Sequence, residues 1–244
     1  MATVIAIANQ KGGVGKTTSV VNLAAYCAVA GRRTLVVDND PQGNASSVLA
    51  PDYDGPSVYG GGRPRPTSLE NLDILPAGSD LGAQQHSLVM REDGDSALAV
   101  KLIPLRDDYD CCFVDCPPSL ATLPVNALVA ADRVLVPIQC EYYAMEGLGQ
   151  ILAHIEELLE RGSSELNRID ILLTMFDAEL PFANQVAGEV AQHFPDQLLR
   201  TRIPRDIALA AAPSHSRTIL EHDPLSPGAI AYLAATKELL DGLE

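Results

Sequence analysis

The chain has 244 residues, is 47% hydrophobic and carries a formal net charge of −15, so it can bury one sizeable core and its length requires no second domain. That charge excludes a protein that coats nucleic acid by bulk electrostatics, because phosphate contact would need a local cluster of Lys and Arg. No apolar run approaches the roughly 20 residues that span a bilayer, and the opening MATVIAIANQ has neither a basic n-region nor a cleavage site, so a cytoplasmic location is expected.

The first predicted strand, residues 3–8, is continuously apolar, as expected of a strand covered on both faces. It runs into Asn9-Gln10-Lys11-Gly12-Gly13-Val14-Gly15-Lys16-Thr17-Thr18 and then into a helical pattern over 18–30. Strand, glycine loop and helix in that order form a phosphate cradle. The glycines let backbone N–H groups turn toward an anion, the helix adds the positive end of its dipole, and Lys16 reaches the β- and γ-phosphates of ATP. Thr17 offers its hydroxyl to Mg²⁺. Only four lysines occur in the chain, and Lys11 and Lys16 are two of them.

A second strand is predicted over 34–38, leading into Val37-Asp38-Asn39-Asp40-Pro41-Gln42-Gly43-Asn44-Ala45. Residues 51–66, PDYDGPSVYGGGRPRP, crowd Gly and Pro together and read as a surface excursion. Strands follow over 72–76 and 109–115, the latter ending in Val114-Asp115-Cys116-Pro117-Pro118-Ser119. Acids at strand carboxyl ends can hold metal-bound water or orient an attacking water. Beyond them, strands are predicted over 133–139, 169–174 and 198–203, and helices over 120–130, 145–160, 182–193 and 228–243. Alternating strand and helix imply a mostly parallel sheet with helices on both faces, a single P-loop α/β domain over 1–244. Cys27, Cys111, Cys112, Cys116 and Cys140 show no paired CxxC rhythm and read as buried reduced thiols.

KGGVGKTT departs from the usual phosphate loop, with Gln10 where a Gly is expected and an extra lysine at Lys11. It resembles the deviant Walker A of the superfamily that includes the chromosome-partitioning ParA and Soj proteins, MinD, the arsenite pump ATPase and the nitrogenase iron protein. VDxDPQGNAS and VDCPPS resemble the switch I and switch II segments of the ParA and Soj group, here 38–47 and 115–119. The likeness continues through PVNALVAADRVLVPIQCEYYAMEGL, LLTMFDA and RIPRDIALAAAPSHSRTI. It implies a slow, partner-stimulated ATPase working with ATP and Mg²⁺ as a nucleotide-sandwich homodimer. Lys11 would reach the partner's phosphates and Asp40 would position the nucleophilic water. Asp38 and Asp115 would bind Mg²⁺ mainly through water, with Gly12, Gly13, Val14, Gly15, Lys16, Thr17 and Thr18 around the phosphates and Met175 and Pro204 lining the adenine pocket.

The same resemblance implies ATP-dependent, sequence-independent nucleoid DNA binding, and a ParB-like partner whose basic N-terminal segment suits an acidic surface. Relatives commonly carry arginines where this chain has Glu179 and Ala208, a change that weakens phosphate contact. Residues 161–222 hold six arginines against eight acids. Arg200, Arg202, Arg205 and Arg217 are left as the candidate DNA surface. The acidic ending KELLDGLE would be repelled by anionic lipid, so no membrane attachment is expected. Chromosome or plasmid partitioning is the leading expectation, and an orphan cargo-positioning protein the alternative. A third class is a metabolic enzyme or cluster-carrying reductase on the same fold, for which Cys116 and Cys140 are the candidate cluster ligands.

Overall fold

Continuously apolar strands demand cover on both faces, and the computed structural model, which describes residues 1–91 and 93–242, supplies it. The strands are β1 (Thr3–Ile7), β2 (Thr34–Asp38), β3 (Arg65–Pro66), β4 (Leu72–Leu75), β5 (Cys111–Asp115), β6 (Arg133–Gln139), β7 (Arg168–Phe176) and β8 (Leu198–Pro204). They form one sheet in the order β3-β4-β2-β5-β1-β6-β7-β8. Only the β3–β4 pairing is antiparallel.

The helices are α1 (Lys16–Val29), α2 (Asn44–Leu49), α3 (Leu81–Val89), α4 (Ala97–Leu102), α5 (Thr122–Ala130), α6 (Ala144–Glu160), α7 (Pro181–His193), α8 (Ile207–Ala211), α9 (Ile219–His222) and α10 (Pro227–Asp241). Buried side chains of α4, α5, α6 and α7 pack on one face of the sheet, and those of α1, α2, α8, α9 and α10 on the other. Every strand expected from its apolar run is present. The added strand β3 and helices α2, α4, α8 and α9 are too short to show a helical or alternating period, and α3 buries only Leu81 and Leu88, too few to mark one. Of the helix expected over 228–243, Leu243 lies outside the described residues.

Two features depart from expectation. The 51–66 segment is more than a surface excursion: Ser57 and Val58 are buried, at 0% and 4% exposure, and the Ser57 N–H donates to Asp80 Oδ1 over 2.5 Å. Gly78, with φ +67°, passes so close that a Cβ there would lie 2.3 Å from Ser57 N, so only glycine fits the turn that pins this segment. The end of the molecule that carries the strand starts holds a buried ion pair, Arg133 with Asp170 at 2.7 Å. Arg133 also donates to the carbonyls of Leu239 and Gly242, tying the end of α10 to the sheet.

Strand order and register position the site. β1 lies between β5 and β6, and β2 lies on the far side of β5. Asp115 is in register with Ile7 on one side and Asp38 on the other. The glycine loop and both acid-bearing segments therefore leave the sheet side by side at its carboxyl edge, where open parallel sheets bind their ligands.

Candidate functional site

Gly13 and Gly15 have φ of +76° and +86°, values that favour glycine because a Cβ would meet the backbone there. The loop they shape is held from outside. The Asn9 side chain donates to Pro137 O at 2.8 Å and accepts from Lys11 N at 2.9 Å. The Thr174 hydroxyl donates to Val14 O at 2.8 Å. Gly12 faces Pro118, whose Cβ a side chain at Gly12 would meet at 3.7 Å, so the loop runs beside the 115–119 segment. No side chain caps α1, whose N-cap is Gly15, so its first N–H groups have no intrahelical acceptor and face the loop's concavity.

Lys16 is buried, and its ammonium donates to Lys11 O across the loop at 2.9 Å. Burial lowers its pKa, with Asp115 the chief counterweight. Lys11 points elsewhere. Its Nζ pairs with Glu141 Oε2 at 2.5 Å, both side chains being nearly half exposed.

Three carboxylates surround this loop in different states. Asp38 is committed: Oδ2 accepts from both Ser46 N and Ser46 Oγ, at 2.7 and 2.6 Å, and Oδ1 accepts from Asp40 N at 3.2 Å. Burial pushes its carboxyl up to about 6 against the pull of those hydrogen bonds. Asp40, also buried, accepts from Gln42 N at 2.9 Å. Asp115 is fully buried and neither of its oxygens has a hydrogen-bond partner among the described residues. Burial and repulsion from Asp38 and Asp40 hold its carboxyl well above the usual range, while the nearby Thr17 hydroxyl and Lys16 ammonium draw it partly back.

A buried, unpaired carboxylate is costly, and this one lies beside a threonine hydroxyl and two further acids. That donor set fits a hydrated hard cation. No group of His, Cys, Asp or Glu forms a metal cage of its own among the described residues, and Mg²⁺ needs none, since it keeps several waters and shares phosphate oxygens.

Met175 and Pro204 meet across a cavity of about 180 Å³ that Gly15, Thr18 and Tyr232 also line, so the structure brings both expected adenine-pocket residues next to the loop. Met175 holds φ +48°, an uncommon conformation for a side-chain-bearing residue, at the irregular end of the β7–β8 pairing.

Each of the four candidate arginines meets different neighbours. Arg202 stacks over the Phe176 ring at 4.5 Å, and Phe176 belongs to the core on the α6 and α7 face. Arg205 lines the Met175 cavity, and Arg217 lines a neighbouring cleft with Thr17, Asn22 and Val48 on the α1 face. Arg200, at the sheet edge, faces Glu238 at 3.5 Å. Glu179 is exposed and Ala208 half-buried.

Asn9, Ser46, Glu141 and Thr174 support the site without having been expected from the sequence. Thr174 lies inside the quoted LLTMFDA and Ser46 inside DPQGNAS, so their segments were visible and their contacts were not.

The AAA domain family matches residues 2–58 and 63–168. The chain is 45% identical to the chromosome partitioning protein ParA of Myxococcus xanthus, over 97% of this chain and 87% of that protein. It is 41% identical to the sporulation initiation inhibitor protein Soj of Bacillus subtilis over 98% of each. A crystal structure of cobyrinic acid a,c-diamide synthase from Mycobacterium smegmatis, with bound ADP and magnesium, matches with a TM-score of 0.84 at 34% identity, covering 100% of this chain and 96% of that one.

Proposed function

The chain belongs to the AAA domain family and, within it, to the ParA and Soj group of partitioning ATPases, and from that membership we propose that it is a switch that dimerises on binding ATP and separates after hydrolysis. The observation that carries the reading is Asp115, buried with both oxygens unpartnered beside Lys16 and Thr17.

In this reading the loop N–H groups of residues 12–18 and Lys16 take the phosphates of ATP, and the base enters the cavity between Met175 and Pro204. Thr17 would hold Mg²⁺ directly, with Asp115 and then Asp38 acting through its waters. When bound, the cation neutralises charge on the phosphate oxygens. Asp40 orients the attacking water, and its Oδ1 contact with Gln42 N fixes the carboxylate's rotamer. Lys11 leaves Glu141 to reach the phosphates held by a second copy, which makes turnover depend on dimerisation.

The switch acts in partitioning or positioning a cargo, and a ParB-like protein with a basic N-terminal segment stimulates hydrolysis. The net charge of −15 favours such a basic partner. Glu179 and Ala208, where relatives commonly carry arginines, give nucleoid DNA a weaker footing. A metabolic amide-forming enzyme is the second reading, favoured by the likeness to the synthase structure; the curated relatives, at higher identity, favour partitioning.

Light scattering after size exclusion tests the proposal on the parent and on Asp40→Ala, each with Mg²⁺ and either ATP or ADP. We expect a parent dimer with ATP that decays as ADP accumulates, a monomer with ADP, and a persistent ATP dimer for Asp40→Ala. A monomer in every state would overturn the switch.

A further inference from the structure

Tyr59 lies in the middle of the Gly/Pro-rich 51–66 segment, yet its ring packs against the core on the α4–α7 face and against the small cluster that includes Leu81, Leu88 and Leu123. Its hydroxyl donates to Asn39 Oδ1 at 2.9 Å. Burial pushes the phenol's pKa up, so it remains a donor at any working pH.

Asn39 stands between Asp38 and Asp40 and is fully buried, at 0% exposure. Its side-chain amide donates to Leu123 O in α5 at 2.8 Å, and its backbone N–H donates to Asp115 O at 3.0 Å. One side chain thus ties the segment carrying Asp40 to the end of β5 and to the helix that follows it. Among the described residues, Tyr59 is the one donor to the Asn39 carbonyl oxygen. The anchor behind Tyr59 is firm, because Ser57 is held by Asp80 and crowded by Gly78. Tyr59 also opens the interval 59–62 between the two stretches that match the AAA domain family, so the matched pattern does not itself account for this contact.

We infer that Tyr59 is a positioning residue for ATP hydrolysis: its hydroxyl holds the Asn39 amide, and through it the backbone that aims Asp40, in place beside Asp115. The inference rests on the reading of Asp40 given above. Without the hydroxyl, the Asn39 oxygen is left buried without a donor, the amide keeps only its bond to Leu123 O, and the 39–43 backbone loosens where a small displacement is felt in the rate.

The test compares Tyr59→Phe, which keeps the ring and its packing, with the parent, with Asp40→Ala, and with Tyr53→Phe. Tyr53 lies in the same segment but donates only to Pro56 O. Steady-state kcat and KM are measured with Mg²⁺ and ATP, and amide hydrogen exchange over 39–43 is measured without nucleotide. For Tyr59→Phe we expect kcat to fall about tenfold with KM within about twofold, and exchange over 39–43 to speed at least about fivefold while the rest of the chain is unchanged. Tyr53→Phe should match the parent in every measurement.

A Tyr59→Phe kcat within about twofold of the parent, or unchanged exchange over 39–43, overturns the inference, as does faster exchange spread evenly over the chain. Loss of turnover in Asp40→Ala with retention in Tyr59→Phe overturns the role of Tyr59 alone. Parental turnover in Asp40→Ala overturns the reading of the site itself.

Discussion

Lys11 is held by an exposed partner, and the strength of that hold sets what releasing it can do. A solvent-exposed lysine–glutamate pair contributes roughly 0–1 kcal/mol, which corresponds to at most about a fivefold change in an equilibrium constant. Glu141→Gln should therefore leave the unfolding free energy within about 1 kcal/mol of the parent and, with one pair released in each of two protomers, strengthen the proposed ATP-bound dimer by no more than about thirtyfold. Lys11→Ala should abolish that dimer while leaving ATP binding to the monomer in place. Sedimentation of both variants with ATP, beside a nucleotide-binding titration, checks the pair of outcomes. At this scale the phosphate loop was legible in the sequence because each residue's task is local: glycine for positive φ, lysine for reach, threonine for a hydroxyl one residue on. The supports were not legible. Tyr59 meets Asn39 across 20 residues, Asn39 meets Leu123 across 84 and Thr174 meets Val14 across 160, and no local pattern encodes which carbonyl a hydroxyl will find.

At the scale of elements, the amino-terminal edge of the sheet holds a buried charge cluster whose members depend on one another. Arg133 opens β6 and Arg168 opens β7 in register with it, and both reach Asp170, which is fully buried. Removing one member of such a group leaves an uncompensated buried charge and costs about 3–5 kcal/mol, whereas replacing the pair with apolar residues of similar size costs far less. Urea unfolding should accordingly show Asp170→Ala destabilised by about that amount and Arg133→Met/Asp170→Leu near the parent. The long parallel strands were readable as unbroken apolar runs. Helices such as α8, of five residues, and α9, of four, carry no period to read. They form because Asp206 and Thr218 side chains cap them and because α1 and α10 offer a surface to pack on.

For the whole molecule, the proposed switch needs a surface that its ATP-bound state presents to a cargo or matrix. Arg200 and Arg202 lie on β8, Arg205 follows it, and Arg205 and Arg217 line adjoining clefts, but across 161–222 eight acids outnumber six arginines. A titration of DNA with ATP, ADP and no nucleotide at two salt concentrations should show binding with ATP alone, weak and with a shallow salt slope, as few phosphates are contacted. Equal binding in all three states would remove DNA from the switch. The sequence by itself determined the phosphate loop, the two acid-bearing strand ends and the alternating architecture, since these depend on residue type and on spacing along a few turns of chain. Only the tertiary structure decided that Asp38 is occupied by Ser46 while Asp115 has no hydrogen-bond partner among the described residues, and that the 51–66 segment reaches back to Asn39. Those outcomes depend on strand order and on which distant groups packing brings within hydrogen-bond reach, and a linear sequence does not carry that distance.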